Sequence, residues 1–256
     1  MLPGEFEYRR ATSVEEAVSL LAENEEAKLL AGGHSLLPMM KLHFAAPSML
    51  VDIGGIQELV FTKQDGGSLV VGSMTTHAHI ASSDTVGAEY GALAEAAASI
   101  GDVQVRNRGT IGGSLAHADP AADYGAATLA LDAQIELMGP NGQRSVDATN
   151  FFSGFLSTSM EPAELITAIR FPSTGNSVSV YEKFAQPASG FAIVGVAAKI
   201  TKQDNCCVAA RIAATGIADR PVRLPIVEEA LTGGELDNPA IVAAADQADA
   251  NLENVR

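Results

Sequence analysis

Leu30-Ala31-Gly32-Gly33-His34-Ser35-Leu36-Leu37-Pro38 decides how the N-terminal part of this chain is read. A short apolar run, Lys28-Leu29-Leu30-Ala31, reads as a buried strand that stops at two glycines, and a stretch of helical character follows. Paired glycines permit positive φ and close backbone approach. Successive free N–H groups in such a turn make an anion nest, and Ser35 adds a hydroxyl donor. That donor set suits a pyrophosphate. Taken alone, one Gly-Gly pair reads as an ordinary tight turn.

The flanks give the turn its context. Upstream, Ser13-Val14-Glu15-Glu16 is a capping box, and Ala17, Leu20 and Leu21 give the helix after it an apolar stripe. Downstream, Met49-Leu50-Val51-Asp52-Ile53 reads as a second buried strand, closed by Gly54-Gly55. This order predicts a small parallel α/β unit. The pattern then changes. Residues 58–62 and 68–75 read as hairpin strands around Asp65-Gly66-Gly67, residues 90–100 and 126–131 as helices, and Pro140-Asn141-Gly142 as another hairpin turn. The Pro/Gly/Ser-rich stretch 172–176 marks a domain boundary. Beyond it, residues 179–184, 192–201 and 206–214 alternate like antiparallel strands, with a turn at Asp204-Asn205, and residues 227–231 and 239–250 read as helices.

A second glycine motif lies about eighty residues after the first, in Arg106-Asn107-Arg108-Gly109-Thr110-Ile111-Gly112-Gly113-Ser114. Thr110 and Ser114 can donate to phosphate or to a ring carbonyl. Asp119 and Asp123 are acceptors suited to ribose or ribityl hydroxyls, although Asp119-Pro120 reads more simply as the cap of the next helix. Neither motif is the G-x-G-x-x-G fingerprint or a Gly-Lys-Ser/Thr phosphate loop, which disfavours a classical nicotinamide fold. Two nests so far apart in sequence suggest one ligand clamped between two lobes.

Composition removes other classes. The chain has 256 residues, 47% apolar and 18% charged, enough to bury a core. Its net charge of −15 argues against a nucleic-acid partner. No apolar run reaches a membrane-spanning length, and the N-terminus has no basic start or apolar signal core, so a cytoplasmic location is expected. No CxxC pair exists, so no iron–sulfur cluster or zinc finger is expected on this chain, and Cys206 and Cys207 read as packed thiols. His77 and His79 would share a face only in an extended segment and have no third ligand nearby in sequence; they read as a polar helix start rather than a metal site, and no metal is expected. His43 reads as a surface or lobe-packing residue, and His117 falls inside the second motif. Glu15, Glu16, Glu228 and Glu229 read as solvated helix faces, and no catalytic triad can be singled out.

The two glycine motifs, followed by ELITAIRFP at 164–172, EKF at 182–184 and FAIVGVAAKI at 191–200, carry a resemblance in order along the chain. The sequence resembles the FAD-binding medium subunit of the molybdenum hydroxylases, the family of xanthine dehydrogenase and aerobic carbon monoxide dehydrogenase. The resemblance implies an α+β fold. A two-lobed FAD-binding α/β domain, similar to vanillyl-alcohol oxidase, would occupy 1–174, with lobe one about 1–55 and lobe two about 56–174. A smaller domain of antiparallel strands plus helices would follow at 175–256.

By motif match, Lys28, Leu29, Leu30, Ala31, Gly32, Gly33, His34, Ser35 and Leu36 would hold the pyrophosphate and adenosine side of FAD. Thr110, Ile111, Gly112, Gly113 and Ser114 would meet the other face of the pyrophosphate and the flavin side. Gly101, Asp123, Leu165 and Lys183 would be further contacts, with no catalytic residue on this chain. A fixed cation at Lys183 would stabilise the negative charge of a reduced flavin; without the resemblance, Lys183 reads as a strand-edge lysine facing water. The resemblance also implies partners: a large subunit with the molybdenum cofactor and a small subunit with 2Fe-2S clusters, as a dimer of heterotrimers. Electrons would run from those clusters through this FAD to an external acceptor.

The sequence departs from the family pattern at His34, where glutamine is commoner, and in the stretch 184–191. It also stops at Arg256, where relatives usually continue, which suggests truncation. Two rival readings are a stand-alone flavin oxidase or dehydrogenase, disfavoured by the lack of an acid/base pair, and a nucleotide-binding module without a redox-active ring.

Overall fold

The computed structural model describes residues 2–250 and 252, so the chain end at Arg256 lies outside the described residues. Three sheets organise the chain. The first is parallel, in the order β1-β3-β2, built from β1 (Glu7–Arg10), β2 (Ala27–Leu30) and β3 (Met49–Asp52). Helices α1 (Val14–Glu23) and α2 (Leu36–Lys41) follow β1 and β2. Ser13 caps α1 by accepting from Glu16 N, as the spacing predicts. Glu16 reaches back one residue further than a capping box requires, accepting from the backbone and hydroxyl of Thr12 at 2.7 and 2.6 Å.

The second sheet is antiparallel, in the order β4-β5-β10-β6-β7. Its strands are β4 (Thr62–Asp65), β5 (Ser68–Gly72), β6 (Gln134–Gly139), β7 (Gly142–Asp147) and β10 (Leu165–Phe171). The strand expected at 58–62 is a 3-10 turn, Gln57–Leu59, and the hairpin starts only at Thr62. Ile56 and Leu59 are both 2% exposed, and residues three apart share a face only in a helical turn.

Between β5 and β6 run six helices: α3 (His77–Ala81), α4 (Asp84–Glu89), α5 (Gly91–Ser99), α6 (Val103–Arg106), α7 (Ile111–His117) and α8 (Asp123–Ala130). After β7 come α9 (Ala148–Phe151) and the small hairpin β8 (Phe152–Gly154) and β9 (Ser157–Thr158). The third sheet, β11 (Ser177–Ala185), β12 (Ala192–Gln203), β13 (Cys206–Thr215) and β14 (Val222–Arg223), is antiparallel in sequence order. Helices α10 (Pro225–Leu231) and α11 (Asn238–Ala245) cover part of one face.

The main core lies where α3, α5, α7 and α8 are held between the second and third sheets, with Leu69, Tyr90, Leu93, Tyr124, Ile135, Phe171, Tyr181 and Ala213 in one cluster. Every residue of α8 is buried. Its Asp-Tyr-Gly-Ala-Ala-Thr-Leu-Ala sequence explains how: small residues let elements approach on all sides, and Gly125 lies against the Pro221 ring. A second cluster, with Val14, Val51, Ile53, Met74 and Leu165, joins the parallel sheet to the five-stranded one. The adjacent cysteines fall on opposite faces of β13, Cys207 buried and Cys206 exposed. Glu228 is not a solvated helix residue: its carboxylate takes two bonds from Arg223, at 2.6 and 2.7 Å, and one from Ile212 N at 2.8 Å.

Candidate cofactor site

The two glycine motifs meet. A side chain at Gly32 would overlap the Arg108 carbonyl oxygen and come within 2.8 Å of Gly109 Cα, so the first loop lies directly on the backbone that enters the second. Ala31 Cβ stands 3.8 Å from where a Cβ on Gly113 would be. Gly33 has φ +75, the left-handed region in which L side chains are strained. Among the described residues, the N–H groups of Gly33, His34 and Ser35 make no hydrogen bond, and the Ser35 hydroxyl does not cap α2. His34 turns back on its own loop, its Nδ1 donating to Gly32 O at 2.8 Å, while the ring stays exposed.

The second loop is differently disposed. Thr110 caps α7, its Oγ1 accepting from Gly113 N at 3.2 Å, which leaves its O–H free to donate. The amides of Ile111 and Gly112 are already taken, by Thr75 O at 3.1 Å and Ser73 O at 2.9 Å. This face therefore offers the hydroxyls of Thr110 and Ser114 more than a row of amides. The donor set as a whole is neutral, as a diphosphate with its own counterions would accept. A glycine turn that no side chain could enter, lined by three unpaired amides, fits that group.

A buried polar network lies at the start of α8. Asp123 accepts from the Tyr181 hydroxyl at 2.7 Å and from Lys183 Nζ at 2.9 and 3.1 Å. Lys183 also donates to Ser99 O at 2.9 Å. The side chains of Lys183 and Asp123 are 7% and 6% exposed. Lys183 is thus neither a water-facing strand-edge lysine nor an unpaired cation. Burial first, then the charge and hydrogen bond of Asp123, push the Tyr181 hydroxyl well above its ordinary range, so it stays a donor. Gly101 lies two residues beyond Ser99, and Arg106 fixes that turn by donating to Ile100 O and Gly101 O, each at 2.9 Å.

His77 sits beneath the second loop. Its backbone N donates to Gly109 O at 3.1 Å, and its Nδ1 is 3.1 Å from the Tyr124 hydroxyl. Burial, then the positive charges of His34 and Arg106, lower its pKa to about 4, so the ring is neutral near pH 7. His79, on the same helix, is exposed, and no cluster of three metal-ligating side chains exists among the described residues.

The remaining expected residues stand apart from the open surface of the loops. Lys28 is exposed on the edge strand β2. Leu29 and Ala31 pack onto the cluster that contains Leu165, which is completely buried and so underlies the first loop. Leu30 and Leu36 flank the turn half-buried. Asp119 does not cap α8, whose N-cap is Ala122; its Oδ1 accepts from Ala121 N at 2.9 Å and shapes the turn before the helix. His117, in the last turn of α7, is half-buried. Sequence reading missed Tyr181, although it stands two residues before Lys183 on a strand and so shares its face. It also missed Ser73, whose buried hydroxyl is without a partner beside Gly112.

Residues 4–174 match the family model of the FAD binding domain in molybdopterin dehydrogenase, and residues 179–254 match that of the CO dehydrogenase flavoprotein C-terminal domain. The chain belongs to the FAD-binding medium subunits of the molybdenum hydroxylases. It is 44% identical to the carbon monoxide dehydrogenase medium chain of Hydrogenophaga pseudoflava, over 99% of this chain and 89% of that one. It is 36% identical to the glyceraldehyde dehydrogenase medium chain of Sulfolobus acidocaldarius, over 98% and 90%. Among solved structures, it superposes on carbon monoxide dehydrogenase from Hydrogenophaga pseudoflava with a TM-score of 0.95 at 44% identity, covering 100% of this chain and 90% of that one. Quinoline 2-oxidoreductase from Pseudomonas putida 86 gives 0.94 at 34% identity, covering 99% and 89%. As a medium subunit the chain is part of an oxidoreductase and carries an FAD-binding domain. No helix among the described residues is long and apolar enough to cross a membrane.

Proposed function

We propose that this medium subunit binds one FAD across the two glycine loops and passes electrons from the iron–sulfur clusters of a partner subunit to an external acceptor. The observation that carries the reading is the direct contact of Gly32 with Arg108 and Gly109, which joins loops eighty residues apart into one cradle. The amides of Gly33, His34 and Ser35 would take one side of the diphosphate, and the hydroxyls of Thr110 and Ser114 the other. Residues 28–32, 36, 101, 111–113, 123, 165 and 183 would complete the contacts. Bound FAD would supply a carrier that accepts electrons singly or in pairs. The chain's own part is binding, orientation and a fixed electrostatic surround, and Asp123 with Lys183 would present a charge-balanced pair rather than a lone cation.

The proposed division is an FAD-binding domain at 1–174, lobe one about 1–55 and lobe two about 56–174, and a C-terminal domain from 175. The proposed partners are a large subunit with the molybdenum cofactor and a small 2Fe-2S subunit, assembled as a dimer of heterotrimers in the cytoplasm. The relatives' names as medium chains of dehydrogenases support this reading. The test is titration of the purified chain with FAD, followed by flavin fluorescence and visible absorbance. Stoichiometric quenching is expected, and co-expression with the two partner subunits should give a complex whose flavin bands bleach on addition of the complex's substrate. A chain that neither retains nor quenches FAD overturns the reading.

A further inference from the structure

The Asp123–Lys183 pair is anchored at both ends. Lys183 donates to both carboxylate oxygens and to Ser99 O, which fixes the ammonium. The carboxylate is fixed by a third residue, Tyr181, whose hydroxyl donates to Oδ1 at 2.7 Å. Tyr181 is itself set in place. Its backbone N donates to Glu95 Oε2 at 2.6 Å, tying β11 to α5. Its ring lies over Gly195, the residue paired with Lys183 on β12. Any side chain at Gly195 would overlap the Tyr181 hydroxyl and come within 2.8 Å of Thr215 Cγ2. The absent side chain is therefore the space that the phenol fills to reach Asp123.

We propose that Tyr181, seated on Gly195, is a positioning residue for the cofactor: its hydroxyl sets the Asp123 carboxylate, and through it Lys183, in the orientation that meets FAD. This rests on the reading of Asp123 and Lys183 as cofactor contacts. The hydroxyl stays protonated across the working pH range, so it donates to the carboxylate at all times. A hydrogen bond to a charged, buried acceptor is among the stronger ones, and without it Lys183 Nζ alone holds both oxygens of the buried carboxylate.

The experiment measures FAD dissociation constants, by fluorescence quenching, for the full chain and for Tyr181→Phe, Gly195→Ala, Asp123→Asn and the double variant Tyr181→Phe/Asp123→Asn. The visible band of the bound flavin and the thermal midpoint of each apo-protein are recorded alongside. Tyr181→Phe keeps the ring and removes one oxygen; it is expected to weaken FAD binding about tenfold and to shift the flavin band. Gly195→Ala should do the same from the opposite side; if it fails to fold, Tyr181→Phe carries the test alone. In the Asp123→Asn background the tyrosine change should add less than twofold, because the two residues act as one unit.

If Asp123→Asn binds FAD as the wild type does, the reading of Asp123 as a contact fails, and the proposal falls with it. If Asp123→Asn weakens binding while Tyr181→Phe leaves affinity and spectrum unchanged, the contact reading stands and the positioning role is overturned. A lowered thermal midpoint with unaltered affinity, or fully additive effects in the double variant, also overturns it.

Discussion

Acidification should expose the buried imidazole of His77. His77 is 4% exposed, its Nδ1 lies at 3.1 Å from the Tyr124 hydroxyl, and its pKa is lowered to about 4 from an ordinary 6.5. The folded state takes up this proton only near pH 4, whereas the unfolded chain takes it near pH 6.5. Between those values the unfolded state binds more protons, so the stability present above pH 6.5 is lost as pH falls. Linkage over that interval gives a loss of about 2 kcal/mol between pH 7.5 and pH 5, with a slope approaching about 1.4 kcal/mol per pH unit.

Other groups titrate as well, so the effect is isolated by difference. His77→Asn keeps a side-chain acceptor close to the Nδ1 position but cannot take up the proton. Urea unfolding of both proteins at half-unit steps from pH 7.5 to 5 supplies the curves. The wild type should lose about 2 kcal/mol more than the variant across the range, whatever their offset at pH 7.5. Parallel curves would refute the claim that the fold holds this ring neutral.

Gly33→Ala places a side chain at φ +75 and within 2.9 Å of Leu37 Cδ1, so it should cost about 1–2 kcal/mol in urea unfolding and weaken FAD binding. Glu164 receives two bonds from Arg144, at 2.6 and 2.7 Å, and one from Glu161 N at 2.6 Å. Glu164→Ala should lower stability by about 2 kcal/mol, less than for a fully enclosed pair because Arg144 can turn to water; a loss under about 0.5 kcal/mol would contradict this. Ser73 carries a buried hydroxyl without a partner, so Ser73→Ala should be neutral or stabilising by up to about 1 kcal/mol in the apo-protein, and a clear loss in thermal midpoint would mean that the hydroxyl has a partner.

The glycine loops were legible because their signal is local: strand, two glycines, hydroxyl, helix. The strands of the third sheet were legible for the same reason, since alternation and the Asp204-Asn205 turn are read over a few residues. What escaped has no local signal. Strand β1 is exposed at every position, Glu7 through Arg10, and exists because its backbone pairs with Met49 through Asp52; no periodicity announces it. The turn at Gln57–Leu59 reads as strand in the sequence because Leu59-Val60-Phe61 is a short apolar, strand-like run, and the three-residue spacing of Ile56 and Leu59 that marks the turn lies partly outside it. The amides of Ile111 and Gly112 looked available, but carbonyls of Ser73 and Thr75, some forty residues earlier, already accept from them. For the residues proposed as cofactor contacts, the pairing seen in the structure had no signal in the sequence. Asp123 and Lys183 are sixty residues apart, and nothing in either neighbourhood says that each neutralises the other.

That pairing changes what the third sheet is for. Besides Tyr181 and Lys183, it grips the segment before α8 at a second point. The Thr215 hydroxyl donates to Pro120 O and lies 2.9 Å from Ala122 O, and Gly216 N donates to Pro120 O at 2.8 Å. Both ends of the short stretch 120–123 are therefore held by β11 and β13. The helix that follows is buried along its whole length, with the third sheet as one of its walls. Without that wall, the apolar surface of α8 would face water and Asp123 would lose three hydrogen bonds in one step. The orientation of Asp123 is thus set by the C-terminal sheet, while the glycine loops are set by the N-terminal ones. Cofactor affinity should accordingly report on the packing of the third sheet against α8, even for substitutions that touch neither glycine loop.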